Sequence, residues 1–280
     1  MLKLLVFILI IASSVSLKAA TIEAFVSILP QQYFVQRIGG DRVNVNVMVK
    51  PGQSPETFEP SPKLMALYSK ADVYFTIEMP FEQVWIDRVA SLNQRVSVVN
   101  TQPHSDSQSP LLPDQHSHDK FDPHTWLSPV LAIAQAKVIV HELSRLSPED
   151  KELFFNNYKE LEKELNALDD ELSRLFEARS GLNFVTFHPA FSYFAQQYGL
   201  TQLAIEVEGK EPSAKQIAQI VNRIRDKNVA YILIERQFNQ MIPKTIAHSV
   251  GAKLLVLDPL ALDYLSNMRD IAAKINKALF

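Results

Sequence analysis

Four short segments of this sequence each place a possible metal ligand beside a proline. The candidate ligands are Glu56 after Pro55, His124 after Pro123, His188 before Pro189 and Asp258 before Pro259. Proline fixes its own φ and biases the preceding residue toward extended backbone, so these side chains are expected on stiff turns. Singly, each carboxylate is explained as well by a helix cap or a solvated charge. Together, two imidazoles and two carboxylates form a ligand set that suits zinc and tolerates manganese.

A polar loop over residues 101–120 adds three more imidazoles. The segment consists largely of Ser, Asp, Gln, Pro and His, so the sequence predicts a mobile loop. Its histidines are His104, His116 and His118. Two interpretations stay open here, an auxiliary metal-binding loop and a solvated polar loop.

The composition argues against several classes of protein. The chain has 280 residues, a formal net charge of −3, 47% hydrophobic residues and 21% charged residues. These values indicate a globular protein and disfavour binding to nucleic acid. Because the sequence contains no cysteine, neither thiolate ligands, nor disulfides, nor a cysteine-linked lipid anchor are expected. The metal ligands must then come from His, Asp and Glu.

Residues 1–20 have the pattern of a secretory signal. Lys3 precedes an apolar run from Leu4 to Ala12, and the small residues Ala19 and Ala20 end the segment. No later segment approaches the roughly 18 uninterrupted apolar residues of a membrane span. The sequence therefore predicts a cleaved signal peptide and a monomeric protein free in the periplasm.

The order of strand-like and helical patterns along the chain predicts an α/β fold with two lobes, which must position the ligands. Residues 21–146 alternate strand-like and helical patterns, and residues 181–280 do the same. This alternation predicts, in each lobe, a largely parallel sheet flanked by helices. Residues 147–180 place apolar side chains at spacings of three and four, which predicts one long rigid helix of roughly 45 to 50 Å joining the lobes. A two-stranded coiled coil is the weaker alternative, because the pattern lasts only about four heptads.

The candidate ligands occupy the positions where such lobes bind ligands. Glu56, His188 and Asp258 follow predicted strands, and His124 follows the polar loop. Ligands of open parallel sheets bind at the carboxyl ends of the strands. The sequence therefore predicts that ligands far apart in the chain converge between the lobes.

With these motifs, the chain resembles the metal-binding proteins of bacterial ABC importers for zinc and manganese, the cluster A-I or ZnuA/TroA-like solute-binding proteins. The resemblance covers nearly all of the chain after the signal. It rests on the order and spacing of motifs at Pro51 to Pro62, Asp122 to Pro129, Thr186 to Phe191, Glu206 to Ser213 and Leu257 to Leu260. It implies two lobes that bind one metal between them, a membrane permease as partner, and no enzymatic activity.

The resemblance also implies the ligands, with one departure. His124, His188 and Asp258 match the family's metal-binding positions. At the first of the four positions along the chain the family usually has histidine where this chain has Glu56, so Glu56, the nearby Glu59 or a water molecule is left as the ligand. Glu56 occupies the matching position and is preferred.

The expected cation is zinc, with manganese or iron as the alternative. The resemblance implies that His188 favours zinc, because this position is often histidine in the family's zinc importers and glutamate in its manganese importers. A second carboxylate, Glu56, favours a harder ion. The loop that carries His104, His116 and His118 is similar to a short form of the family's histidine-rich loop, which would hold zinc weakly and relay it.

Three functions follow as hypotheses. The leading one is a periplasmic receptor that captures zinc and delivers it to an ABC importer. The second is a zinc hydrolase in which Glu56, Glu206 or Glu208 acts as the base, although the sequence has no His-Glu-x-x-His motif. The third is an adhesin-like surface protein with the receptor fold, which the absence of an anchoring cysteine disfavours. Glu206 and Glu208 are also candidates for orienting a ligand or for a solvated turn.

Overall fold

The computed structural model describes residues 21–103, 122–206, 213–225 and 227–280. The predicted signal peptide, residues 1–20, lies outside the described residues, and so do His104, His116 and His118 of the predicted loop. Within the described ranges, no helix combines the length and the apolar character that crossing a bilayer requires.

The first lobe is built on a sheet of four parallel strands, in the order β2-β1-β3-β4. The strands are β1 (Ile22–Val26), β2 (Val43–Val47), β3 (Val73–Thr76) and β4 (Ser97–Asn100). The helices are α1 (Leu29–Gly39), α2 (Pro62–Tyr68), α3 (Pro80–Leu92) and α4 (Pro129–Leu146). The central strands β1 and β3 are almost entirely buried, because helices cover both faces of a parallel sheet.

The second lobe repeats this arrangement with the strand order β6-β5-β7-β8, again all parallel. Its strands are β5 (Asn183–Thr186), β6 (Thr201–Ala204), β7 (Tyr231–Glu235) and β8 (Lys253–Leu257). Its helices are α6 (Ser192–Gln197), α7 (Ala214–Arg225), α8 (Met241–Val250) and α9 (Tyr264–Ala278). The predicted α/β fold with two lobes is confirmed.

The predicted linking helix is α5 (Lys151–Phe176), with short 3-10 turns at its two ends, Pro148–Asp150 and Glu177–Arg179. Its buried residues recur every three or four positions, from Phe154 to Phe176. This face packs against α1 and α4 of the first lobe and against α9 of the second. Because one continuous helix contributes to the packing of both lobes, it sets their spacing as a rigid element.

Polar contacts join the two lobes close to the predicted ligands. The Trp126 indole donates a hydrogen bond to the Pro259 carbonyl at 2.9 Å, and the Tyr264 hydroxyl donates to the Trp126 carbonyl at 2.7 Å. Trp126 is 1% exposed and Tyr264 is 2% exposed, so water does not compete for these bonds. The segment that carries His124 is therefore fastened directly to the segment that follows Asp258.

The sheet topology explains why the site lies between the lobes. In each sheet the direction of strand progression reverses beside the first strand, between β1 and β3 and between β5 and β7. The loops leaving such a point diverge and leave a crevice at the carboxyl ends of the strands. His188 follows β5 and Arg236 follows β7, so both lie at the crevice of the second lobe.

Candidate metal centre

Three of the four predicted ligands meet in one cluster: Glu56, His124 and His188. The two imidazole Nε2 atoms are 3.2 Å apart. Glu56 Oε1 lies 4.0 Å from His124 Nε2 and 3.9 Å from His188 Nε2. Glu56 and His124 come from the first lobe and His188 from the second, so the cluster bridges the crevice.

The spacing of these three atoms is close to that of a zinc site. Zinc lies about 2.0 to 2.2 Å from nitrogen and carboxylate oxygen, so tetrahedral ligand atoms stand about 3.4 Å from one another. The separations of 3.2, 3.9 and 4.0 Å outline one slightly enlarged face of such a tetrahedron. A small shift of the Glu56 side chain, which is 26% exposed, brings its oxygen to ligand distance.

His124 is oriented by the aspartate two residues before it. Oδ1 of Asp122 lies 2.7 Å from His124 Nδ1 and accepts from the His124 backbone N–H at 2.9 Å. The other carboxylate oxygen, Oδ2, accepts from the Ser192 hydroxyl of the second lobe. Since Pro123 limits the backbone between them, the turn holds the ring so that Nε2 faces the cluster. The sequence motif predicted the stiff turn, but not this role for Asp122.

The carboxylates around His124 change its titration. Burial alone would lower the pKa of His124, but the charges of Asp122 and Glu56 outweigh burial and raise that pKa above its ordinary value. Correspondingly, burial alone would raise the pKa of Asp122, whereas His124 and the Ser192 hydroxyl bring it below its ordinary value. The Asp122–His124 pair thus concentrates negative charge behind an imidazole, which favours a cation in front of it.

His188 is held in the same way by Glu206. His188 Nδ1 lies 2.5 Å from Glu206 Oε2, and the two side chains are each only 7% exposed. The ring also stacks on Phe238, with centroids 5.0 Å apart and an angle of 30° between the planes. Of the two glutamates that the sequence suggested for orienting a ligand, Glu206 makes this contact, and Glu208 lies outside the described residues.

Glu56 is placed by the loop that follows β2. Its backbone N–H donates to the Ser54 hydroxyl at 3.2 Å, and the preceding Pro55 is buried. The alternative ligand, Glu59, is exposed and lines a separate surface cavity with Lys50 and Lys63. The loop therefore directs Glu56, and not Glu59, toward the two histidines.

Asp258 is not part of the cluster of three. Its Oδ2 lies 3.7 Å from Nη1 of Arg236, and its Oδ1 accepts from the Leu260 backbone N–H at 3.2 Å. The two residues that follow it, Pro259 and Leu260, line the same cavity as the histidines. The backbone of this segment thus reaches the site, while the Asp258 carboxylate is directed toward Arg236.

A buried glutamate beneath the site was missed at the sequence level. Glu235 ends β7 and is 0% exposed. Burial raises the pKa of Glu235 to about 8, although the nearby His124 offsets part of this effect. A carboxyl group at the end of the apolar run from Tyr231 to Ile234 was the available signal.

The space at the cluster suits a single ion. The cavity has a volume of about 10 Å³, which is enough for one particle the size of a water molecule or a metal ion. Trp126, Phe238, Pro259 and Leu260 form apolar walls around it. Pockets for organic ligands are far larger, typically about 300 to 1,000 Å³. A small cavity with two buried imidazoles and a partly exposed carboxylate is therefore a candidate site for one divalent transition metal ion.

Comparisons with known proteins agree with this geometry. A family model described as zinc-uptake complex component A, periplasmic (ZnuA), matches residues 25–278. The zinc-binding lipoprotein AdcA of Streptococcus pneumoniae is 32% identical over 245 residues, which cover 82% of this chain and 48% of AdcA. The chain thus spans about half the length of this curated relative.

Two solved structures share the fold over nearly the whole chain. A crystal structure of ZnuA superposes with a TM-score of 0.85 at 36% identity, covering 92% of this chain and 99% of that one. The laminin-binding protein Lmb of Streptococcus agalactiae, described as a bifunctional protein with adhesin and metal-transporting activity, has a TM-score of 0.79 at 30% identity, covering 92% and 99%. The resemblance inferred from the motifs is confirmed: the chain belongs to the ZnuA family of zinc-uptake components.

Proposed function

We propose that this protein is an extracytoplasmic receptor that captures one zinc ion between its two lobes and delivers it to the membrane permease of an ABC importer. The observation that carries the proposal is the cluster of Glu56, His124 and His188, contributed by both lobes and enclosing space for one ion. The AdcA relative is named as a zinc-binding protein, and the matching family is one of zinc-uptake components, which supports the choice of cargo and partner.

The proposed ligands are Glu56, His124 and His188 at rest, with Asp258 as the fourth ligand when its carboxylate turns toward the ion. Two imidazoles and one carboxylate favour zinc over manganese, because nitrogen ligands and small coordination numbers suit zinc. The auxiliary loop of His104, His116 and His118 stays a prediction.

Elemental analysis of protein purified without added metal tests the cargo directly. We expect about one zinc per chain and little manganese or iron.

A binding role explains the site better than zinc-dependent hydrolysis. A hydrolase needs room beside the metal for the scissile group of its substrate. The cavity here has space for only one metal ion or water molecule. The apolar walls and the two buried histidines leave no such room. A screen of ester and peptide substrates with the zinc-loaded protein is expected to give no turnover above free zinc. Turnover that is lost in a His188→Ala variant would support the hydrolase instead.

Replacing Glu56 with alanine is expected to raise the zinc Kd about 10- to 100-fold, since a water molecule can take the place of a partly exposed carboxylate ligand. The Kd is measured by competition with a chelator of known affinity. Glu59→Ala is the matched control, because Glu59 is an exposed glutamate on the same loop that lines a different cavity. Equal Kd values for Glu56→Ala and the unaltered protein would remove Glu56 from the site.

Replacing Glu206 with glutamine is expected to raise the zinc Kd about tenfold. The amide still fits the space beside His188, but it carries no charge to strengthen the imidazole as a ligand and hold its orientation. The same competition measurement applies, with Glu160→Gln on the exposed side of α5 as the control. If the glutamine variant retained full affinity, Glu206 would be only a packing partner.

A further inference from the structure

We propose that Arg236 is a positioning residue that holds the Asp258 carboxylate away from the metal centre and thereby keeps zinc exchangeable. The inference rests on the proposed function and adds to it a control on the fourth ligand. Neither the motifs nor the family match assigns a role to Arg236. The proposal follows from where the two strands β7 and β8 end.

The pairing of Arg236 with Asp258 is built into the sheet. Strands β7 and β8 are parallel with Glu235 opposite Leu257, so the next residues of the two strands, Arg236 and Asp258, are also neighbours. The Arg236 backbone N–H donates to the Leu257 carbonyl at 3.0 Å, which continues the ladder past the last strand residue. Nη1 of Arg236 then lies 3.7 Å from Oδ2 of Asp258. The register therefore fixes the proximity of the two side chains.

Asp258 is anchored by its backbone while its side chain can turn. Its carbonyl accepts a hydrogen bond from the Asn267 side-chain amide at 2.7 Å, and its Oδ1 accepts from the Leu260 backbone N–H. The Asp258 side chain is 29% exposed, so rotation about its χ angles does not disturb a packed core. Redirecting the carboxylate breaks its hydrogen bond from the Leu260 N–H and its pairing with Arg236.

Two adjoining cavities define the two directions. The metal cavity is lined by Pro259 and Leu260 together with the histidines. A second cavity of about 240 Å³ is lined by Arg236 and Asp258. Gln237 and Leu260 line both cavities, which therefore share a wall beside Asp258. With its carboxylate directed toward Arg236, Asp258 lies in the second cavity and leaves the metal with three protein ligands.

The strength of the pair suits a reversible control. Arg236 is 69% exposed, so solvent screens its attraction for Asp258 and the pair is weak. Such a weak pair competes with zinc for the Asp258 carboxylate but does not prevent coordination, because zinc bound by three ligands attracts a fourth. A receptor must release its ion to a permease. A fourth ligand that coordinates only part of the time keeps zinc binding weak enough for that release.

The proposal is tested with four proteins: the unaltered chain, Arg236→Ala, Asp258→Asn and the double variant. Zinc Kd values are measured by chelator competition at pH 7.5. We expect Arg236→Ala to tighten zinc binding about two- to fivefold, because the weak pair with Arg236 no longer competes with the ion for the Asp258 carboxylate. Asp258→Asn alone is expected to weaken zinc binding about three- to tenfold, because it removes the proposed fourth ligand, and the double variant should match Asp258→Asn.

The double variant separates positioning from simple charge repulsion. Removing a positive charge near a cation site also tightens binding, but that effect persists when Asp258 is absent. Arg269→Ala is the control for loss of a surface arginine, since Arg269 pairs with Glu171 on the exposed faces of α9 and α5. Absorption spectra of the cobalt-substituted proteins supply a second readout, because a new carboxylate ligand alters the d–d bands in Arg236→Ala and not in the double variant.

Three results would overturn the proposal. An unchanged Kd in Arg236→Ala, an equal tightening of the double variant relative to Asp258→Asn, or an unchanged Kd in Asp258→Asn alone would each show that Arg236 does not act on zinc binding through Asp258. The proposed function fails separately, if the unaltered protein binds no zinc.

Discussion

A His188→Ala variant is expected to bind zinc about 10³-fold more weakly than the unaltered protein. Structural zinc sites bind with about 10 to 16 kcal/mol, so one of four ligands contributes roughly 3 to 4 kcal/mol, and each 1.4 kcal/mol is tenfold in Kd. His188 is the one imidazole that the second lobe contributes to the cluster found among the described residues. Its loss therefore also removes the strongest link between the lobes through the ion.

The loss has a second cause that makes it larger than for Glu56. Glu206 is 7% exposed and is paired with His188 at 2.5 Å, so alanine leaves this buried carboxylate without its imidazole partner. Glu56 is partly exposed and is more easily replaced by water. Chelator competition measures the Kd, and thermal unfolding without metal checks that the variant folds.

His248→Ala is the matched control, because His248 lies exposed on α8. We expect its zinc Kd to equal that of the unaltered protein. If His188→Ala kept an affinity within threefold of the unaltered protein, the cluster would not be the zinc site.

The fold was predictable because its signals are local. The alternating run Val43 to Val47 and the apolar run Tyr231 to Ile234 each determine a strand by the faces that they bury. Likewise, the spacing of apolar residues in α5 predicts a long helix without reference to the rest of the chain. The shifts at the helix ends, where 3-10 turns replace α-helical turns, are within the usual uncertainty of such boundaries.

The candidate site was predictable only in part. Proline-bounded turns identified His124 and His188, and the position of Glu56 in its motif selected it over Glu59. The pairing of Asp122 with His124 depends on a side-chain rotamer in a short turn, and the pairing of Glu206 with His188 joins residues on two strand ends. Neither arrangement leaves a periodic pattern in the sequence.

The position of Asp258 shows why a motif cannot specify a coordination state. Its place after β8 brings the segment to the cavity, as the strand-end pattern predicts. Its carboxylate instead lies beside Arg236, which follows the neighbouring strand, and accepts a hydrogen bond from the Leu260 N–H. The motif therefore identifies a candidate ligand, whereas the orientation of its carboxylate depends on the charged groups around it.

Carboxylates surround the two imidazoles of the site on both sides. Asp122 and Glu206 support the two histidines from behind, and Glu56 faces them across the cavity. Each imidazole thus directs Nε2 inward with a carboxylate at its other nitrogen, the arrangement that increases the strength of histidine as a metal ligand. Asp122 and Glu56 also stabilise the protonated form of His124, so protons compete with zinc for this ligand.

Lowering the pH from 7.5 to 5.0 is expected to raise the zinc Kd about 10²- to 10³-fold. Zinc requires neutral imidazole, and a free imidazole with a pKa of about 6.5 loses roughly 30-fold of its neutral form between pH 7.5 and 5.0, so two such groups would give about 10³-fold. Repulsion between two protonated rings whose Nε2 atoms lie 3.2 Å apart makes the second protonation harder, which sets the lower end of the range. Chelator competition at several pH values, corrected for the chelator's own protonation, gives the slope.

The raised pKa of His124 refines the predicted pH dependence of the zinc Kd. Burial opposes protonation of His124, but Asp122 and then Glu56 outweigh it and raise its pKa, so the decline begins at a less acidic pH than for a free imidazole. Glu56→Ala should keep two imidazole ligands and a steep slope, whereas His188→Ala should keep one and show about half of that slope. A zinc Kd that stays constant from pH 7.5 to 5.0, with the protein still folded, would contradict coordination by histidine.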